Sequence, residues 1–313
     1  MLEYLGRCLI HLAVTILGIV TVAFFLMRAI PGDPAEYILG DYATPEALAI
    51  LRSQLGLDRS LTEQYVIFIS RAAMGDFGTS TVTGQPALNE ITESLPPSAV
   101  LAIAGLLIAI AFGVPAGIAA AVRQGSWFDV TVMLIALGGI SFPVFWLGLA
   151  AILLFAHHLD LLPALGSTSS PNLVDQLLHL ILPATVLGFS VAAYIARLTR
   201  SAMLEVLGQD YVRVARAMGV SERRIVYRLA LRNALVPILA VIGVTFAWSL
   251  GNAILIEAVF SRPGVGSTIL KAILARDYQL VQAGVLALAA GVVITNALLD
   301  VLYGLIDPRL RTT

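Results

Sequence analysis

Charged residues are scarce in this sequence, and their scarcity excludes an ordinary water-soluble domain. Only 12% of the 313 residues are charged, whereas 58% are hydrophobic. Soluble domains have about 25% charged and about 45 to 50% apolar residues. The formal net charge of −1 also gives the chain no overall positive charge with which to bind nucleic acid. The composition predicts a membrane protein, with the lipid bilayer as its surroundings.

Cysteine and lysine are almost absent. The single cysteine, Cys8, cannot form an internal disulfide and has no partner at metal-ligand spacing, so we interpret it as a small apolar residue at a helix start. The single lysine, Lys271, is followed by Ala272, whereas a phosphate-binding P-loop needs serine or threonine after its lysine. We therefore expect no cofactor or metal in this chain and no nucleotide hydrolysis by a P-loop of its own.

Long hydrophobic runs are what the sequence has in abundance. A run of about 20 apolar residues crosses a hydrocarbon core of roughly 30 Å, and only a helix bonds all the backbone groups of such a run internally. The first run lacks a small-residue cleavage site, so we interpret it as a retained span and not as a signal peptide. The sequence predicts an all-α polytopic membrane protein with six transmembrane helices. The spans are residues 9–27, 98–122, 131–156, 177–196, 234–258 and 280–304.

Prolines within or beside these spans predict kinks, because proline removes a helical hydrogen bond. They are Pro115, Pro143, Pro183 and Pro237. Kinks suit a bundle that opens and closes, but they are also ordinary in membrane helices.

Arginine is distributed unevenly among the predicted loops, and this predicts the orientation. With the N-terminus in the cytoplasm, the short outer loops carry only Arg262, Lys271 and Arg276. Positive residues concentrate on the cytoplasmic side of membrane proteins, so both termini are predicted to be cytoplasmic. The predicted inside residues are Arg7, Arg123, Arg197, Arg200, Arg213, Arg216, Arg223, Arg224, Arg228, Arg232, Arg309 and Arg311.

Residues 31–96 form a long segment that is predicted to be extracytoplasmic and helical. Thr44 caps one predicted helix, which has Pro45 first and ends at Gly56; Ser60 and Glu63 form a capping-box pattern for a second helix that ends near Gly75. A third short helix, about 86–94, is predicted to stop at Pro96 and Pro97. The predicted organisation is an N-terminal transmembrane helix (1–30), this segment (31–96), a transmembrane domain (97–304) and a cytoplasmic tail (305–313).

The stretch "DYVRVARAMGVSERRIVYRLALRNALVP", residues 210–237, places six arginines between two apolar runs. Residues 209–218 predict a helix about 15 Å long, Gly219 suits a left-handed turn, and Ser221 suits the N-cap of a helix returning to the membrane. We call residues 209–232 the cytoplasmic hairpin. Its arginines fit four roles: setting topology, binding anionic headgroups, contacting nucleic acid, or contacting a protein partner. Topology alone needs no glycine turn, and the short helices do not suit a nucleic-acid groove.

Here the sequence resembles a family, the membrane subunits of bacterial ATP-driven (ABC-type) importers, in the branch that handles dipeptides, oligopeptides, glutathione and nickel. The hairpin resembles that branch's variant of a motif with general form E-A-A, three residues, G, nine residues, I-x-L-P, although the glutamate and proline of the general form are absent. The other matching stretches are "IPGDP" (30–34), "LGLD" (55–58), "GDFGTS" (75–80), "ISFPVFWLG" (140–148), "ILP" (181–183), "FSRPGVG" (260–266), "RDYQLVQA" (276–283) and "DPRLR" (307–311).

The resemblance implies a permease subunit in the bacterial inner membrane. Its implied partners are a second homologous permease, two ATP-binding subunits that hold ATP and magnesium, and an extracytoplasmic substrate-binding protein. The cargo it implies is a dipeptide, an oligopeptide or glutathione, with a nickel complex as the alternative. It also implies that the hairpin fits a groove in an ATP-binding subunit. The predicted coupling residues are Tyr211, Arg213, Ala215, Arg216, Met218, Gly219 and Ser221.

Polar and aromatic residues within the spans are candidates for a translocation path. They are Ser141, Phe142, Trp146, Thr245, Ser249, Asn252 and Asn296. Serine, threonine and asparagine also join helices to one another, and the aromatic pair can simply pack.

Two other functional classes find weaker support in the sequence. An ion-coupled secondary carrier needs an acidic residue near mid-span, whereas Glu257 and Asp300 lie near span ends. An intramembrane enzyme needs a nucleophile with a base, or a metal constellation. His157 and His158 lack the i, i+4 spacing of a zinc motif, so we interpret them as an interfacial pair.

Overall fold

The computed structural model describes residues 2–29, 32–166 and 171–306, and the regular secondary structure of this part of the chain is helical, with one isolated bridge between Thr79 and Pro86. Arg309 and Arg311 lie outside the described residues, as do the side chains of Arg7, Cys8 and Asp300. The α-helices are α1 (Leu2–Ala29), α2 (Pro34–Leu39), α3 (Pro45–Gln54), α4 (Leu61–Ala73), α5 (Ala87–Val122), α6 (Trp127–Ser141), α7 (Val144–Ala151), α8 (Leu173–Leu207), α9 (Asp210–Ala217), α10 (Glu222–Arg224), α11 (Leu231–Val259), α12 (Val265–Leu274) and α13 (Tyr278–Ile306). A 3-10 helix covers Gly40–Tyr42, and π-helices cover Ile152–His158, which continues α7, and Ile225–Ala230.

The chain divides into two compact units. The first contains Met1–Pro97 and Pro263–Val293, and the second contains Ser98–Arg262 and Ile294–Thr313. In the first unit, which we call the N-terminal unit, Ile91 packs with Ala272, Leu280 and Val281 in a buried cluster.

Helix starts in the N-terminal unit follow the predicted capping chemistry. The Thr44 hydroxyl accepts a hydrogen bond from the Ala47 N–H, and Pro45 is the first residue of α3. The Ser60 hydroxyl accepts from the Glu63 N–H, while the Glu63 carboxylate accepts from the Ser60 N–H. This reciprocal pair is a capping box. Both predicted helices of this segment are therefore confirmed.

The prediction that a third short helix stops at Pro96 and Pro97 was wrong. Helix α5 runs without interruption for 36 residues, from Ala87 to Val122, and includes both prolines. Each proline leaves one helical carbonyl without its donor, here the carbonyls of Thr92 and Glu93. Both residues are exposed, so water can bind these carbonyls and the helix continues.

Four helices of the described residues are long and apolar enough to cross a membrane. They are Ala87–Val122, Leu173–Leu207, Glu222–Val259 and Tyr278–Ala297. The predicted spans 98–122, 177–196 and 234–258 lie within the first three, and the fourth covers most of 280–304. Pro115, Pro183 and Pro237 lie inside uninterrupted helices.

The predicted third span, residues 131–156, is not one straight helix. Helix α6 ends at Ser141, α7 begins at Val144, and the two directions differ by 105°. Phe142 has φ −87° and ψ 135°, because the residue before a proline is pushed into an extended conformation. Pro143 therefore interrupts the run, as its predicted kink indicated, although the continuous span was wrong. Counting the bent pair as one span raises the total for the described residues to five.

The second unit is built around α8, which packs against α6, α7 and α11. Leu187, Ile256 and Phe260 are fully buried in its main cluster. Helix α5 also approaches α8 closely. A Cβ atom added at Gly113 or Gly117 would lie 2.8 or 2.5 Å from the carbonyl oxygen of Ala192 or Ala196. These two glycines, four residues apart, let the two backbones touch.

Candidate functional site

The hairpin of residues 209–232 has the predicted geometry of a short helix and a glycine turn. Helix α9 has eight residues, and Gly219 follows it with φ +78°. The Val220 N–H donates to the Ala215 carbonyl at 3.1 Å, and the Gly219 N–H donates to the Arg216 carbonyl at 2.9 Å. This pair of bonds is a Schellman motif, which ends a helix in a fixed direction. Ser221 is the N-cap residue of α10 as predicted, although its side chain makes no capping hydrogen bond.

The surface of α9 separates one buried anchor from several exposed apolar groups. Val212 is fully buried, whereas Tyr211, Val214 and Met218 are exposed, Met218 at 78%. The buried side of α9 packs against residues Ile225–Ala230. Two of the predicted coupling residues, Tyr211 and Met218, thus present apolar area to the surroundings, and Ala215 is half-buried.

The hairpin arginines are partly neutralised within the hairpin. Arg213 pairs with Asp210, and Arg216 donates to both oxygens of Glu222 at 2.7 and 3.3 Å. The hydrogen bond to Glu222 raises the pKa of Arg216, which stays protonated. Our sequence reasoning missed both pairs, although the i, i+3 spacing of Asp210 and Arg213 was a readable signal.

The return to the membrane is a π-helix over Ile225–Ala230, where the sequence predicted an ordinary helix. Ile225, Val226 and Ala230 are buried there. The Asn233 amide donates to the Tyr211 hydroxyl at 2.7 Å, which ties α9 to the first turn of α11. Asn233 is a positioning residue that the sequence pattern did not reveal. Wide π-helical turns occur often at functional sites.

Three predicted path residues, Ser141, Phe142 and Trp146, lie at the break between α6 and α7. The rings of Phe142 and Trp146 stack with centroids 4.6 Å apart and planes 16° apart. Both side chains are about half exposed, at 48% and 47%. The break therefore presents a flat aromatic pair at the surface of the chain.

The other predicted path residues lie on α11 and α13. The hydroxyls of Thr245 and Ser249 donate to the backbone carbonyls of Val241 and Phe246, each at 2.7 Å. Ser249 is only 1% exposed, so its hydroxyl bonds within α11 and does not reach the surface of the chain. Asn252 is half-buried on α11, and Asn296 is exposed on α13.

An ion pair between a buried carboxylate and a partly exposed guanidinium joins α6 to α8. Arg200 Nε and Nη2 donate to the two carboxylate oxygens of Asp129 at 2.5 and 2.7 Å, and Asp129 is 3% exposed. The Asp129 carboxylate also accepts from the Gly125 N–H at 3.0 Å. Sequence reasoning assigned Arg200 only a role in membrane orientation. The pattern Ser126-x-x-Asp129 at the start of α6 was the overlooked signal, because it marks a helix N-terminus.

Glu257, His157 and His158, the candidates for a carrier or an enzyme, each contact another side chain. Glu257 is 1% exposed, accepts from the Ser98 hydroxyl, and lies two residues before the end of α11. The His157 and His158 rings meet edge to face at 5.2 Å, and both are exposed. Nowhere in the described residues do three metal-ligating side chains gather.

The apolar helices, the broken span and the helix-turn-helix hairpin together define a multi-pass helical membrane protein. Residues 113–312 match the family described as "Binding-protein-dependent transport system inner membrane component", and residues 1–102 match the N-terminal part of such membrane components. The chain belongs to this family, so it is a permease subunit of the bacterial inner membrane.

Several curated proteins resemble the chain along its whole length. The dipeptide transport system permease protein DppB of Alkalihalophilus pseudofirmus is 42% identical, over 99% of this chain and 100% of that protein. The di/tripeptide transport system permease protein DppB of Pseudomonas aeruginosa is 41% identical, over 99% of each chain. The glutathione transport system permease protein GsiC of Escherichia coli K12 is 40% identical, over 99% of each chain.

A solved structure shares the fold. A chain of the MetNI methionine ABC transporter, in an inward-facing conformation, superposes with a TM-score of 0.54 at 16% identity. The match covers 70% of this chain and 96% of that one. At this identity the likeness concerns the fold alone.

Proposed function

We propose that this chain is one of two permease subunits of an ATP-driven importer of short peptides. The observation that carries the proposal is identity of about 40% along the whole length to permeases named for dipeptides, di- and tripeptides and glutathione. In the proposed assembly a second homologous permease completes the membrane path, two ATP-binding subunits hydrolyse ATP with magnesium, and an extracytoplasmic binding protein delivers the peptide. The chain itself is a non-catalytic subunit without a cofactor.

The proposed topology has six membrane spans with both termini in the cytoplasm. Helix α1, with 28 residues, supplies the first span, and the bent pair α6 and α7 supplies the third. Residues 31–96 then lie outside the cytoplasm, between the N-terminal span and the transmembrane domain of residues 97–304. The uneven arginine distribution supports this orientation.

The cytoplasmic hairpin is the proposed contact with an ATP-binding subunit. An ATPase can drive a gate only if its nucleotide-bound form favours one conformation of the membrane subunit. Helix α9 suits this task because its Schellman turn and the Asn233–Tyr211 hydrogen bond fix its direction, so that a push on it moves α11. The exposed Tyr211 and Met218 supply apolar contact area, while Ala215 and Gly219 leave room for close approach. Arg213, Arg216 and Ser221 form the polar edge.

The proposed translocation path runs along the exposed polar and aromatic groups of the second unit. The stacked Phe142 and Trp146, with Ser141 beside them, form its aromatic part. Asn252, Asn296 and Thr245 form its polar part, and Ser249 supports α11 from within. A nickel complex is the second candidate cargo within the same branch, and it needs no protein ligand if the metal arrives chelated.

Co-purification of the tagged chain with its genomic neighbours tests the assembly, and ATP hydrolysis in membranes tests the cargo. We expect ATP-binding subunits to co-purify, and hydrolysis to rise when the binding protein carries a di- or tripeptide. A chain that purifies alone and transports unaided would contradict the importer. Stimulation by a nickel complex and not by peptides would transfer the proposal to the second cargo.

A further inference from the structure

A polar cavity of about 330 Å³ lies entirely within the N-terminal unit, and the proposed function leaves it unused. Ligand pockets for small molecules have volumes of about 300 to 1,000 Å³. Four guanidinium groups and one carboxylate line the cavity. They belong to Arg28, Arg59, Arg71, Arg276 and Asp76. The lining therefore favours an anionic group.

Three buried polar atoms of this lining have no hydrogen-bond partner in the described chain. They are Thr81 Oγ1, Arg276 Nη1 and Gln282 Nε2. Gln282 is 7% exposed, and both nitrogens can only donate. An unpaired buried donor costs about 1 to 3 kcal/mol. A ligand that brings acceptor oxygens to this place would recover that free energy.

The Arg276 guanidinium lies beside Gly32, and the Arg276 backbone has an unusual conformation. Arg276 has φ +53°, an uncommon conformation for a residue other than glycine. A Cβ atom added at Gly32 would lie 2.2 Å from Arg276 Nη1. The guanidinium thus occupies space that any side chain at position 32 would fill. Strained backbone of this kind concentrates at ligand sites.

The remaining charged groups of the lining differ in exposure and in whether other residues already occupy their hydrogen-bonding atoms. Arg28 Nε already donates to Gln64 Oε1 at 2.9 Å, and its guanidinium carbon lies 3.5 Å from the centre of the Phe24 ring. One oxygen of Asp76 accepts from the Gly78 N–H at 2.9 Å. Arg59 and Arg71 are exposed side chains that also reach the cavity. Arg276 Nη1 and the Gln282 amide therefore form the buried part, and Arg59 and Arg71 add positive charge at accessible positions.

We propose that this cavity binds the carboxylate of a short peptide, with Arg276 Nη1 and Gln282 Nε2 donating to it. Guanidinium and amide N–H groups match the planar oxygens of a carboxylate. The volume also exceeds what one acidic side chain of a docked protein would fill, which favours a small molecule of dipeptide size. The choice of a peptide as the carrier of the carboxylate rests on the proposed function, whereas the carboxylate chemistry rests on the cavity.

Calorimetry on the purified transporter complex tests this site. The complex is placed in phosphatidylcholine nanodiscs without its binding protein and titrated with N-acetyl-alanyl-alanine, and separately with the C-terminal amide of the same compound. We expect the acid to bind at least tenfold more tightly than the amide. Arg276→Gln and Gly32→Ala, which displaces the guanidinium, should each weaken acid binding at least tenfold.

Gln282→Leu gives a signature that a purely structural role would not give. The change removes an unpaired buried amide and keeps a similar volume, so the thermal midpoint of the complex should be equal or higher. Acid binding should nevertheless fall at least fivefold. Lys271→Gln is the matched control, because Lys271 is an exposed cation of the same unit outside the cavity lining, and it should bind the acid like the unmodified chain.

Several outcomes would overturn the proposal. One is equal binding of the acid and the amide, and a second is unchanged acid binding in Arg276→Gln and Gln282→Leu. A third is displacement of the bound acid by inorganic phosphate at a concentration lower than that of the acid, which would indicate a phosphate or headgroup site. The exposed variants Arg59→Gln and Arg71→Gln cover the case in which Arg276→Gln fails to fold, and they should weaken binding at least threefold. Peptide uptake in cells is measured in parallel, so that loss of the site and loss of the proposed function are told apart.

Discussion

Gly219 is the residue on which the direction of the hairpin of residues 209–232 depends. Its φ of +78° is open to glycine and, at a small cost, to asparagine. A Cβ atom there would meet nothing within 4 Å. Conformation and not space therefore restricts this position.

Substitution of Gly219 tests the proposed coupling role. Gly219→Pro fixes φ near −65° and removes the N–H that bonds to Arg216, so we expect peptide uptake and peptide-stimulated ATP hydrolysis to be lost while membrane insertion is retained. Gly219→Asn is the control and should keep most of the activity. Normal uptake by a stably expressed Gly219→Pro variant would show that the turn does not transmit ATPase movement.

The Asp129–Arg200 pair is a second feature decided by single residues. Removing Arg200 leaves the Asp129 carboxylate buried and unpaired, whereas the Arg200 side chain is 26% exposed. We expect Arg200→Gln to destabilise the chain by about 3 kcal/mol, visible as a lower midpoint of thermal unfolding in detergent. The double variant Asp129→Asn with Arg200→Gln should lose less than the sum of the two single changes. Strictly additive losses would mean that the pair contributes nothing as a pair.

At the scale of helices, the contact between α5 and α8 depends on two glycines, which have no side chain to keep the helices apart. Gly113 and Gly117 face backbone carbonyls of α8, so the helices approach closely enough for dispersion contacts along the backbone. In lipid, where apolar surface alone gives no driving force between helices, such close packing is a principal source of association.

Gly117→Val should disrupt this helix pair. The new Cβ would lie 2.5 Å from the Ala196 carbonyl oxygen, so α5 has to move away from α8, and we expect the yield of folded protein after detergent extraction to fall severalfold. Gly138→Val is the control, because a Cβ atom on Gly138 in α6 has no neighbour within 4 Å. Equal yields from the two variants would contradict the close approach.

At the scale of the whole molecule, the orientation in the membrane decides which surfaces meet which partners. Cys8 is the single cysteine, so a Cys8→Ser background permits accessibility measurements with one new thiol at a time. Tyr42 and Met218, at 84% and 78% exposure, are the positions of choice on the predicted outer and inner sides.

We expect an impermeant maleimide to label Tyr42→Cys in cells whose outer permeability barrier has been opened. Met218→Cys should react only after the inner membrane is also permeabilised. The reverse labelling pattern would invert the topology, and with it the proposed ATPase contact at the hairpin.

Local signals predicted a large part of the fold. The helix starts at Thr44 and Ser60 were predicted correctly, the second with Glu63, because capping is a contact between near neighbours in sequence. Pro143 indicated a kink because its effect on the helix is also local, although the 105° angle was not predicted. Pro96 and Pro97 misled, because whether a proline ends a helix depends on how the freed carbonyls are satisfied by their surroundings.

The candidate sites were less accessible to sequence reasoning. The hairpin was located because its glycine turn is local, whereas the pairing of Arg200 with Asp129 joins residues 71 positions apart. The burial of Ser249 and the hydrogen bond from Asn233 to Tyr211 likewise depend on which helices are neighbours. Whether the predicted path residues line a shared pathway stays a prediction.

The sequence by itself determined that this protein is a helical membrane subunit. Hydrophobic runs and the sign of loop charges reflect interactions with the lipid bilayer, and helix caps are contacts between near neighbours in the sequence. Its family landmarks determined the class of transporter. Only the tertiary structure decided which arginines are paired and which glycines touch another backbone. It also brought Arg276 and Gln282 together with their unsatisfied donors in one cavity. Those features depend on packing between distant segments, and no local pattern of residues encodes such packing.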